Sequence, residues 1–270
     1  MNPAMPRLVA TDLDGTIVRG DGTVSERTVA AFERLRRAGT PYVFVTGRPP
    51  RLIEEITAFF GHHGTAICSN GALVYDLSGK QVLEEFAIDP EVLAEAAGRL
   101  RAAVPGIGIA VEFAGTLAAD DHYEPWDWDR GISVQRLPDA ELFARPAPKL
   151  LGRHPELSAD ELLALAAPHL SPLVTVYHSN GSRLVEAIAT GVSKASALRS
   201  YTARLGITPE QVIAFGDMPN DLPMLAWAGT SYGVANGHPD VLAAVDHVIG
   251  ANDDDGVAEA LEALTAGVAL

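Results

Sequence analysis

A short apolar segment that ends in two acids constrains the fold of this chain more than any other stretch. Residues 8–10 predict a buried β-strand, and Asp12, Asp14 and Gly15 follow it. Strand side chains repeat every two residues, so the two carboxylates would share a face if the strand continued. Open α/β sheets bind ligands at the carboxyl ends of their strands. The pattern predicts either a cation site, with Mg²⁺ as the hard, oxygen-seeking candidate, or an ordinary Asp-Gly turn.

Length and composition limit the classes of protein to consider. With 270 residues, 47% of them hydrophobic, the chain has enough material for one large domain or two ordinary ones. No apolar run approaches the roughly 20 residues that a membrane helix needs. Residues 1–7 lack the apolar segment of a signal peptide. A single cysteine, Cys68, excludes an internal disulfide framework, so we expect a cytoplasmic protein.

The net charge of −15 argues against nucleic acid or an anionic membrane as a partner. A protein this acidic needs a local cationic site, made by a metal and a few basic residues, to bind a phosphorylated substrate. No P-loop and no paired cysteine and histidine pattern of a zinc site is present in the sequence. We therefore expect a small-molecule partner, and a monomer is compatible with the sequence.

The order of the predicted elements indicates a sheet domain with an insertion. Strands over 8–10, 41–46 and 65–69 alternate with helices over 26–37 and 50–60, as in a parallel sheet with right-handed crossovers. A hairpin is predicted from 73–75 and 81–86. The alternation returns later, with helices over 194–205, 220–226 and from 253 onwards and strands over 211–217, 230–234 and 247–249.

Between these two parts the pattern changes to short strands with fewer helices. Strands are predicted at 107–111, 117–118, 149–152, 174–179 and 184–187, and helices at 90–103 and 158–167. Such a run is typical of an antiparallel sheet with helices on one face. The predicted fold is therefore α/β, with a doubly wound, mainly parallel Rossmann-like core domain (1–86 and 190–270) and an inserted α+β cap domain (87–189).

Polar motifs follow four of the core elements. They are Asp12-x-Asp14, Thr46-Gly47-Arg48, Lys194 at a helix start, and Asp217-x-x-Asn220-Asp221. In a doubly wound sheet these positions converge on one edge. Each motif alone is more simply explained as a turn, a helix cap or a solvated charge, but the four together favour one catalytic site.

The four motifs, in this order, resemble those of the haloacid dehalogenase (HAD)-like hydrolase superfamily. Within it they are most similar to the Cof-like phosphatases that carry the large α/β (type IIB) cap. The resemblance covers nearly the whole chain. It includes further matches at Ser69-Asn70-Gly71-Ala72, Gly191-Val192-Ser193-Lys194, Asp217-x-x-Asn220-Asp221-x-x-Met224 and Asp254-Asp255-Gly256-Val257-Ala258.

The resemblance implies a role for each matching residue. Asp12 is the expected nucleophile that forms an aspartyl-phosphate, and Asp14 is the expected general acid and base. Phosphoryl oxygens are expected to bind Thr46, the Gly47 amide and Lys194. The implied Mg²⁺ ligands are Asp12, the backbone carbonyl of Asp14, and Asp217, with Asp221 holding that shell from outside. Asn220 is expected either beside this shell or on the substrate, and the role of Arg48 is open.

The implied function is hydrolysis of a small phosphorylated metabolite, with a sugar phosphate as the favoured substrate. Alternatives are a phosphosugar mutase, a disaccharide-phosphate phosphatase and a non-catalytic metal-dependent sensor or partner-binding protein. The presence of Asp14 and Lys194 favours an enzyme over the sensor. In the cap, the acids and two tryptophans of 120–130 either stack on a sugar or pack on the cap sheet. His178 is predicted as a strand residue, and Asn180 and Ser182 are open candidates for contact with the substrate.

Overall fold

The computed structural model describes residues 5–125, 132–178 and 183–266. The chain divides into two compact units. The first comprises Met1–Thr46, Ile53–Leu83 and Ser193–Leu270, and the second comprises Gly47–Leu52 and Glu84–Val192. The tryptophan loop at 126–130, with Trp126 and Trp128, lies outside the described residues, as do Asn180 and Ser182. Among the helices that are described, none combines the length and the apolar character needed to cross a membrane.

The first unit is built on a sheet that has eight strands within the described residues. The strands are β1 (Leu8–Thr11), β2 (Tyr42–Val45), β3 (Thr65–Cys68), β4 (Leu73–Asp76), β5 (Gln81–Glu85), β12 (Val212–Gly216), β13 (Thr230–Val234) and β14 (His247–Ile249). Their order is β14-β13-β12-β1-β2-β3-β4-β5. The pairs from β14 to β3 are parallel, and β4 runs antiparallel to β3. Strands β1, β2, β3 and β12 are buried along their whole length, which explains their near-continuous apolar sequences.

Helices lie between these strands and after the last of them. They are α1 (Glu26–Arg37), α2 (Glu54–Ala58), α6 (Lys194–Arg204), α7 (Leu222–Trp227), α8 (Pro239–Ala244) and α9 (Gly256–Thr265). Ser25 caps α1 by accepting the Thr28 N–H, as expected of an N-cap serine. In α6, Ser193 caps the helix and Lys194 is its first residue. The first unit thus has the alternating order of a doubly wound fold, and the α/β fold class is confirmed.

Several predicted boundaries were wrong. The helix expected over 50–60 is a 3₁₀ turn, Pro50–Leu52, followed by the short α2. The helix expected from residue 220 begins with a 3₁₀ turn, Pro219–Asp221, and the helix expected from Asp253 begins only at Gly256. In the last case Asp255 adopts a left-handed φ of 62°, which interrupts a right-handed helix. Helix α8 was not predicted.

The second unit contains a sheet of six strands among the described residues, in the order β10-β11-β9-β6-β7-β8. The strands are β6 (Gly108–Glu112), β7 (Leu117–Ala119), β8 (Val134–Arg136), β9 (Lys149–Arg153), β10 (Val174–Tyr177) and β11 (Leu184–Ala189), and the helices are α3 (Pro90–Ala103), α4 (Asp139–Leu142) and α5 (Ala159–Leu170). All pairs are antiparallel except β7 with β8. The short β8 and α4 were not predicted. This unit has the α+β character expected of the insertion, and its role as a cap stays a prediction.

One face of this second sheet carries buried charge. Val185 and Ala187 pack in the apolar core with α3 and α5, whereas the alternate residue Glu186 lies on the other face. There it joins three further buried side chains, and we call this group the Lys149 cluster: Arg51, Glu112, Lys149 and Glu186. The Lys149 ammonium also donates to the Gly47 carbonyl at 2.9 Å. The cluster therefore ties residues 47–52 to this sheet. His178, which directly follows β10, pairs with Asp160 at 2.9 Å.

Candidate active site

Three polar residues follow adjacent strands of the first unit. Asp12 follows β1, Thr46 follows β2 and Asp217 follows β12. The three strands are parallel neighbours with β1 in the centre, so their carboxyl ends lie side by side. The backbone N–H of Asp12 donates to the Phe215 carbonyl at 3.1 Å, which continues the pairing of β1 with β12 to the end of the strand. Sheet topology alone therefore brings together residues that are about 200 positions apart in the sequence.

A buried lysine lies between two carboxylates at this edge. The Lys194 Nζ is 3.0 Å from Asp12 Oδ1 and 2.6 Å from Asp221 Oδ1. The side chains of Lys194 and Asp221 are 1% and 0% exposed, so these ion pairs are almost fully removed from water. Lys194 comes from the first turn of α6, and the partial positive charge of that helix end adds to its own charge.

Asp217 is held by the loop that follows β1. Its Oδ1 accepts a hydrogen bond of 2.7 Å from the buried Thr16 hydroxyl. Gly15, with φ of +78°, passes so close that a Cβ there would lie 2.3 Å from Asp217 Oδ2. The glycine of the Asp-x-Asp-Gly motif is therefore required both by its left-handed backbone and by the space that Asp217 occupies.

Both oxygens of Asp221 are already bound by the protein. Its Oδ1 accepts from Lys194, and its Oδ2 accepts the backbone N–H groups of Asp217 and Met218, each at 3.1 Å. A Cβ at Gly216 would lie 2.7 Å from the Asp221 side chain, so glycine is needed there as well. Asp221 thus fixes the loop that carries Asp217, an arrangement that fits the predicted place of Asp221 outside a metal shell.

Burial and mutual repulsion disturb the charges of this group. Burial raises the pKa of Asp12 well above its usual value, Lys194 opposes the shift and Asp221 adds to it. Burial raises the pKa of Asp217 to about 7, again with a contribution from the charge of Asp221. For Lys194 burial alone would lower the pKa, but Asp12 and Asp221 outweigh it and keep the pKa above its ordinary value. The ammonium is therefore charged at neutral pH, but its single positive charge does not balance the carboxylates around it.

A divalent cation fits this group of acids. One carboxylate oxygen from each of Asp12, Asp217 and Asp221 lies within 4.8 Å of the other two, and since the protein already binds both oxygens of Asp221, Asp12 and Asp217 are the carboxylates left to contact a cation. Their donor atoms are hard oxygens, the type that Mg²⁺ and Ca²⁺ prefer. With three carboxylates and one ammonium, the group would also be closer to neutral if a cation were bound. Asp14 is partly buried, unlike the buried Asp12 two residues before it.

The remaining predicted residues fall in two places. Thr46 is fully buried, and its carbonyl accepts the Asn70 N–H at 3.0 Å. Asn220 donates through Nδ2 to Asn70 Oδ1 at 2.9 Å. Gly47 belongs to the second unit, where its carbonyl accepts from Lys149. The predicted binding of phosphoryl oxygens by Thr46, Gly47 and Asn220 stays a prediction.

Two residues that hydrogen-bond to predicted site residues have no role assigned from the sequence. Thr16 and Asn70 each belong to motifs that the sequence displays, Asp-x-Asp-Gly-Thr and Ser-Asn-Gly-Ala. Their presence in those motifs was the only available signal, because their partners Asp217 and Asn220 lie 201 and 150 positions away. A distant hydrogen bond of this kind cannot be predicted from local sequence.

Residues 9–261 match the family model of the haloacid dehalogenase-like hydrolases. The chain belongs to this family. The match spans β1 to α9 and includes each of the four motifs, so the predicted family and the prediction of a phosphatase-type enzyme are confirmed at this level.

Relatives with assigned phosphatase names and a relative of known structure are similar over almost the whole chain. A 5-amino-6-(5-phospho-D-ribitylamino)uracil phosphatase of Escherichia coli is 28% identical over 95% of this chain and 95% of its own length. A pyridoxal phosphate phosphatase of the same organism is also 28% identical, over 94% of this chain and 96% of its own. A protein of known structure from Thermotoga maritima is 26% identical with a TM-score of 0.80, over 96% of this chain and 97% of its own. The sequence similarity to the two phosphatases and the structural similarity to the Thermotoga maritima protein each cover at least 94% of this chain.

Proposed function

We propose that this protein is a Mg²⁺-dependent phosphatase that hydrolyses a small phosphorylated metabolite through an aspartyl-phosphate on Asp12. One observation carries the proposal: a buried Asp12 carboxylate lies 3.0 Å from the Lys194 ammonium, within a group of acids suited to a divalent cation. A carboxylate in this setting is a nucleophile beside the positive charge that an anionic substrate requires.

The proposed chemistry has two steps. In the first, a carboxylate oxygen of Asp12 bonds to phosphorus, the bond from phosphorus to the ester oxygen breaks, and Asp14 gives its proton to the leaving oxygen. In the second, Asp14 takes a proton from water, whose oxygen bonds to phosphorus and releases inorganic phosphate and the Asp12 carboxylate. The position of Asp14, two residues after Asp12 and only partly buried, supports this role.

Lys194 supports both steps by reducing charge repulsion. Its pKa is raised, so the ammonium is charged, and its charge opposes the rise in the pKa of Asp12 and so favours the carboxylate that attacks an anionic substrate. Fixed charges in a site shielded from water act more strongly than the same charges in solvent. The bond to Asp221 fixes the ammonium in place beforehand, so it need not reorganise when substrate binds.

We propose that Mg²⁺ binds to Asp12, Asp217 and the backbone carbonyl of Asp14. Thr16 orients Asp217 through its hydrogen bond, and Asp221 supports the loop that carries Asp217. When bound, Mg²⁺ would neutralise charge on the phosphoryl oxygens. The carboxylates must lose their protons to bind it, and the raised pKa of Asp217 makes the affinity for Mg²⁺ depend on pH near neutrality.

The substrate is proposed as a class. The two Escherichia coli relatives are equally similar to this chain, and their names give two chemically different phosphate monoesters, a ribitylaminouracil phosphate and pyridoxal phosphate. What they share is a phosphate ester of a small, polar organic molecule. Sugar phosphates are the first group to screen, and the preference for them stays a prediction.

Hydrolysis of a generic aryl phosphate tests the proposal. We expect turnover with Mg²⁺, loss of turnover with excess chelator, and recovery when Mg²⁺ is restored. If a folded protein hydrolyses neither an aryl phosphate nor any member of a broad panel of sugar and other metabolite phosphates, the proposal is wrong.

A further inference from the structure

The loop after β3 has an unusual backbone. Ser69, Asn70 and Gly71 have consecutive positive φ angles of 51°, 53° and 106°. Ser69 and Asn70 are also buried, at 1% and 3% exposure. Residues other than glycine rarely adopt this region, and such strain persists only where the surrounding structure enforces it. The loop is therefore held in place by its contacts, and the contacts of Asn70 show what it holds.

The backbone of Asn70 fixes the peptide that joins Thr46 to Gly47. Its N–H donates to the Thr46 carbonyl at 3.0 Å. There are no cis peptide bonds among the described residues, so this peptide is planar and trans. The Gly47 N–H consequently points opposite to the Thr46 carbonyl and away from Asn70. The hydrogen bond thus sets the direction of an amide that is proposed to bind a phosphoryl oxygen.

The side chain of Asn70 fixes the amide of Asn220. Asn70 Oδ1 accepts one hydrogen of Asn220 Nδ2 at 2.9 Å. An amide nitrogen carries two hydrogens in the plane of the group, so the use of one determines the direction of the other. Asn220 lies one residue before Asp221, in the loop that carries Asp217. The orientation of a second proposed phosphate donor thus depends on Asn70 as well.

The same loop presses against the start of α6. A Cβ at Gly71 would lie 2.2 Å from the carbonyl oxygen of Ser193, the residue before Lys194. Glycine allows this approach and also accepts the φ of 106°. Residues 69–71 therefore contact three segments that carry proposed phosphate-binding groups: the end of β2, the Asp217 loop and the first turn of α6.

We propose that Asn70 is a positioning residue for phosphoryl binding. Its N–H holds the Thr46–Gly47 peptide and its side chain holds the Asn220 amide, so the direction of each donor is set before an anion arrives. The inference rests on the proposed function, because these donors bind the phosphoryl group of that substrate. Asn70 acts through its neighbours, and in its strained conformation it makes both of these hydrogen bonds at once.

The variant Asn70→Gly tests only the hydrogen bond between the Asn70 side chain and Asn220. Glycine accepts the same φ, so the backbone bond to Thr46 remains while the bond to Asn220 is lost. We expect binding of inorganic phosphate, measured by calorimetry at saturating Mg²⁺, to weaken about tenfold, with KM raised by a similar factor. The Mg²⁺ affinity is expected to stay within about twofold of wild type, since neither of these two hydrogen bonds of Asn70 is made to a carboxylate.

Ser69→Gly is the matched control. It makes the same backbone change one residue earlier and removes a buried hydroxyl that has no hydrogen-bond partner in the part of the chain that the structure describes. Its phosphate affinity should equal that of wild type. In a double-mutant cycle, Asn70→Gly should weaken phosphate binding no further in an Asn220→Ala background, because the side chain of Asn70 acts through Asn220.

Three results would overturn the inference: unchanged phosphate affinity in Asn70→Gly, an equal loss in Ser69→Gly, or additive losses in the cycle. A parallel loss of Mg²⁺ affinity and melting temperature would assign Asn70 a merely structural role. Failure of the proposed function is a different result, in which the wild-type protein itself neither binds phosphate nor hydrolyses any phosphate ester.

Discussion

The Lys149 cluster provides a prediction whose magnitude follows from burial. The Lys149 side chain is 3% exposed, and its ammonium contacts Glu186 at 2.5 Å, the Gly47 carbonyl at 2.9 Å and Glu112 at 3.5 Å. Burial alone would lower the pKa of Lys149, but Glu186 and the other neighbours raise it above its ordinary value, so the lysine is charged. Lys149→Met keeps the length of the side chain and removes the charge.

The expected result is a large loss of stability. Glu186 and Glu112 would stay buried, with Arg51 as the cation that remains in the cluster. Removing one partner of a buried ion pair costs about 3–5 kcal/mol, because a charge is left uncompensated away from water. For a chain of this size that corresponds to a fall in melting temperature of about 6–20 °C, measured by calorimetry or circular dichroism.

Lys80→Met is the matched control. Lys80 also pairs with a glutamate, Glu54, but both side chains are more than half exposed, and such pairs contribute little. We expect no measurable change in its melting temperature. Glu186→Gln added to Lys149→Met should recover part of the lost stability, since it removes one of the unpaired charges. If Lys149→Met has the same melting temperature as the wild-type protein, the ion pairs make no net contribution to stability and the reasoning from burial is wrong.

Three further predictions concern the candidate site. Thr16→Val removes the hydrogen bond to Asp217 with little change in shape, and calorimetry should show Mg²⁺ affinity lowered about 10–100-fold. Asp14→Asn cannot exchange a proton, and kcat with an aryl phosphate should fall about 10²–10⁴-fold while phosphate affinity is largely kept. The third prediction concerns the metal-free protein. There the raised pKa of Asp217 means that the folded state binds a proton more tightly than the unfolded state. The free energy of unfolding should therefore fall as the pH rises from about 4 to about 7. Melting temperatures in chelator across this range measure it.

Each of these has a result that contradicts it. Wild-type Mg²⁺ affinity in Thr16→Val would mean that Asp217 needs no orientation from the Asp12 loop. Full activity of Asp14→Asn would place the general acid elsewhere. For the pH effect the comparison is Asp217→Asn, in which the other carboxyl groups are the same. Equal pH slopes of the melting temperature in the two proteins would show that Asp217 does not titrate in this range.

The sheet and the residues at its edge were predictable because both depend on local patterns. Buried apolar runs predicted β1, β2 and β12, and the polar residues at their ends, Asp12, Thr46 and Asp217, followed from the rule that parallel strands present their carboxyl ends together. The 3₁₀ turns around Pro50 and Pro219 were missed, because hydrophobic spacing does not distinguish a single tight turn from the first turn of an α-helix.

Contacts between distant side chains were not predictable from these patterns. From the sequence, Lys149 is indistinguishable from an ordinary lysine at the start of a strand. Its burial depends on its ion pairs with Glu186 and Glu112, which lie 37 residues away in each direction along the chain. The link from Asn70 to Asn220 likewise depends on how two loops meet after folding. Family resemblance drew attention to both loops, and only the structure showed what joins them.

The central claim is that Asp12 becomes phosphorylated, and trapping that intermediate tests it most directly. An aryl phosphate and Mg²⁺ would be mixed with the Asp14→Asn variant, in which loss of the aspartyl-phosphate to water should be slow, and the reaction quenched in acid. Borohydride reduces an acyl phosphate to an alcohol, and peptide mapping then locates the modified aspartate. The account predicts modification at Asp12 and none in a protein that also carries Asp12→Asn. Continued turnover with no modification at Asp12, or modification of another carboxylate, would contradict it.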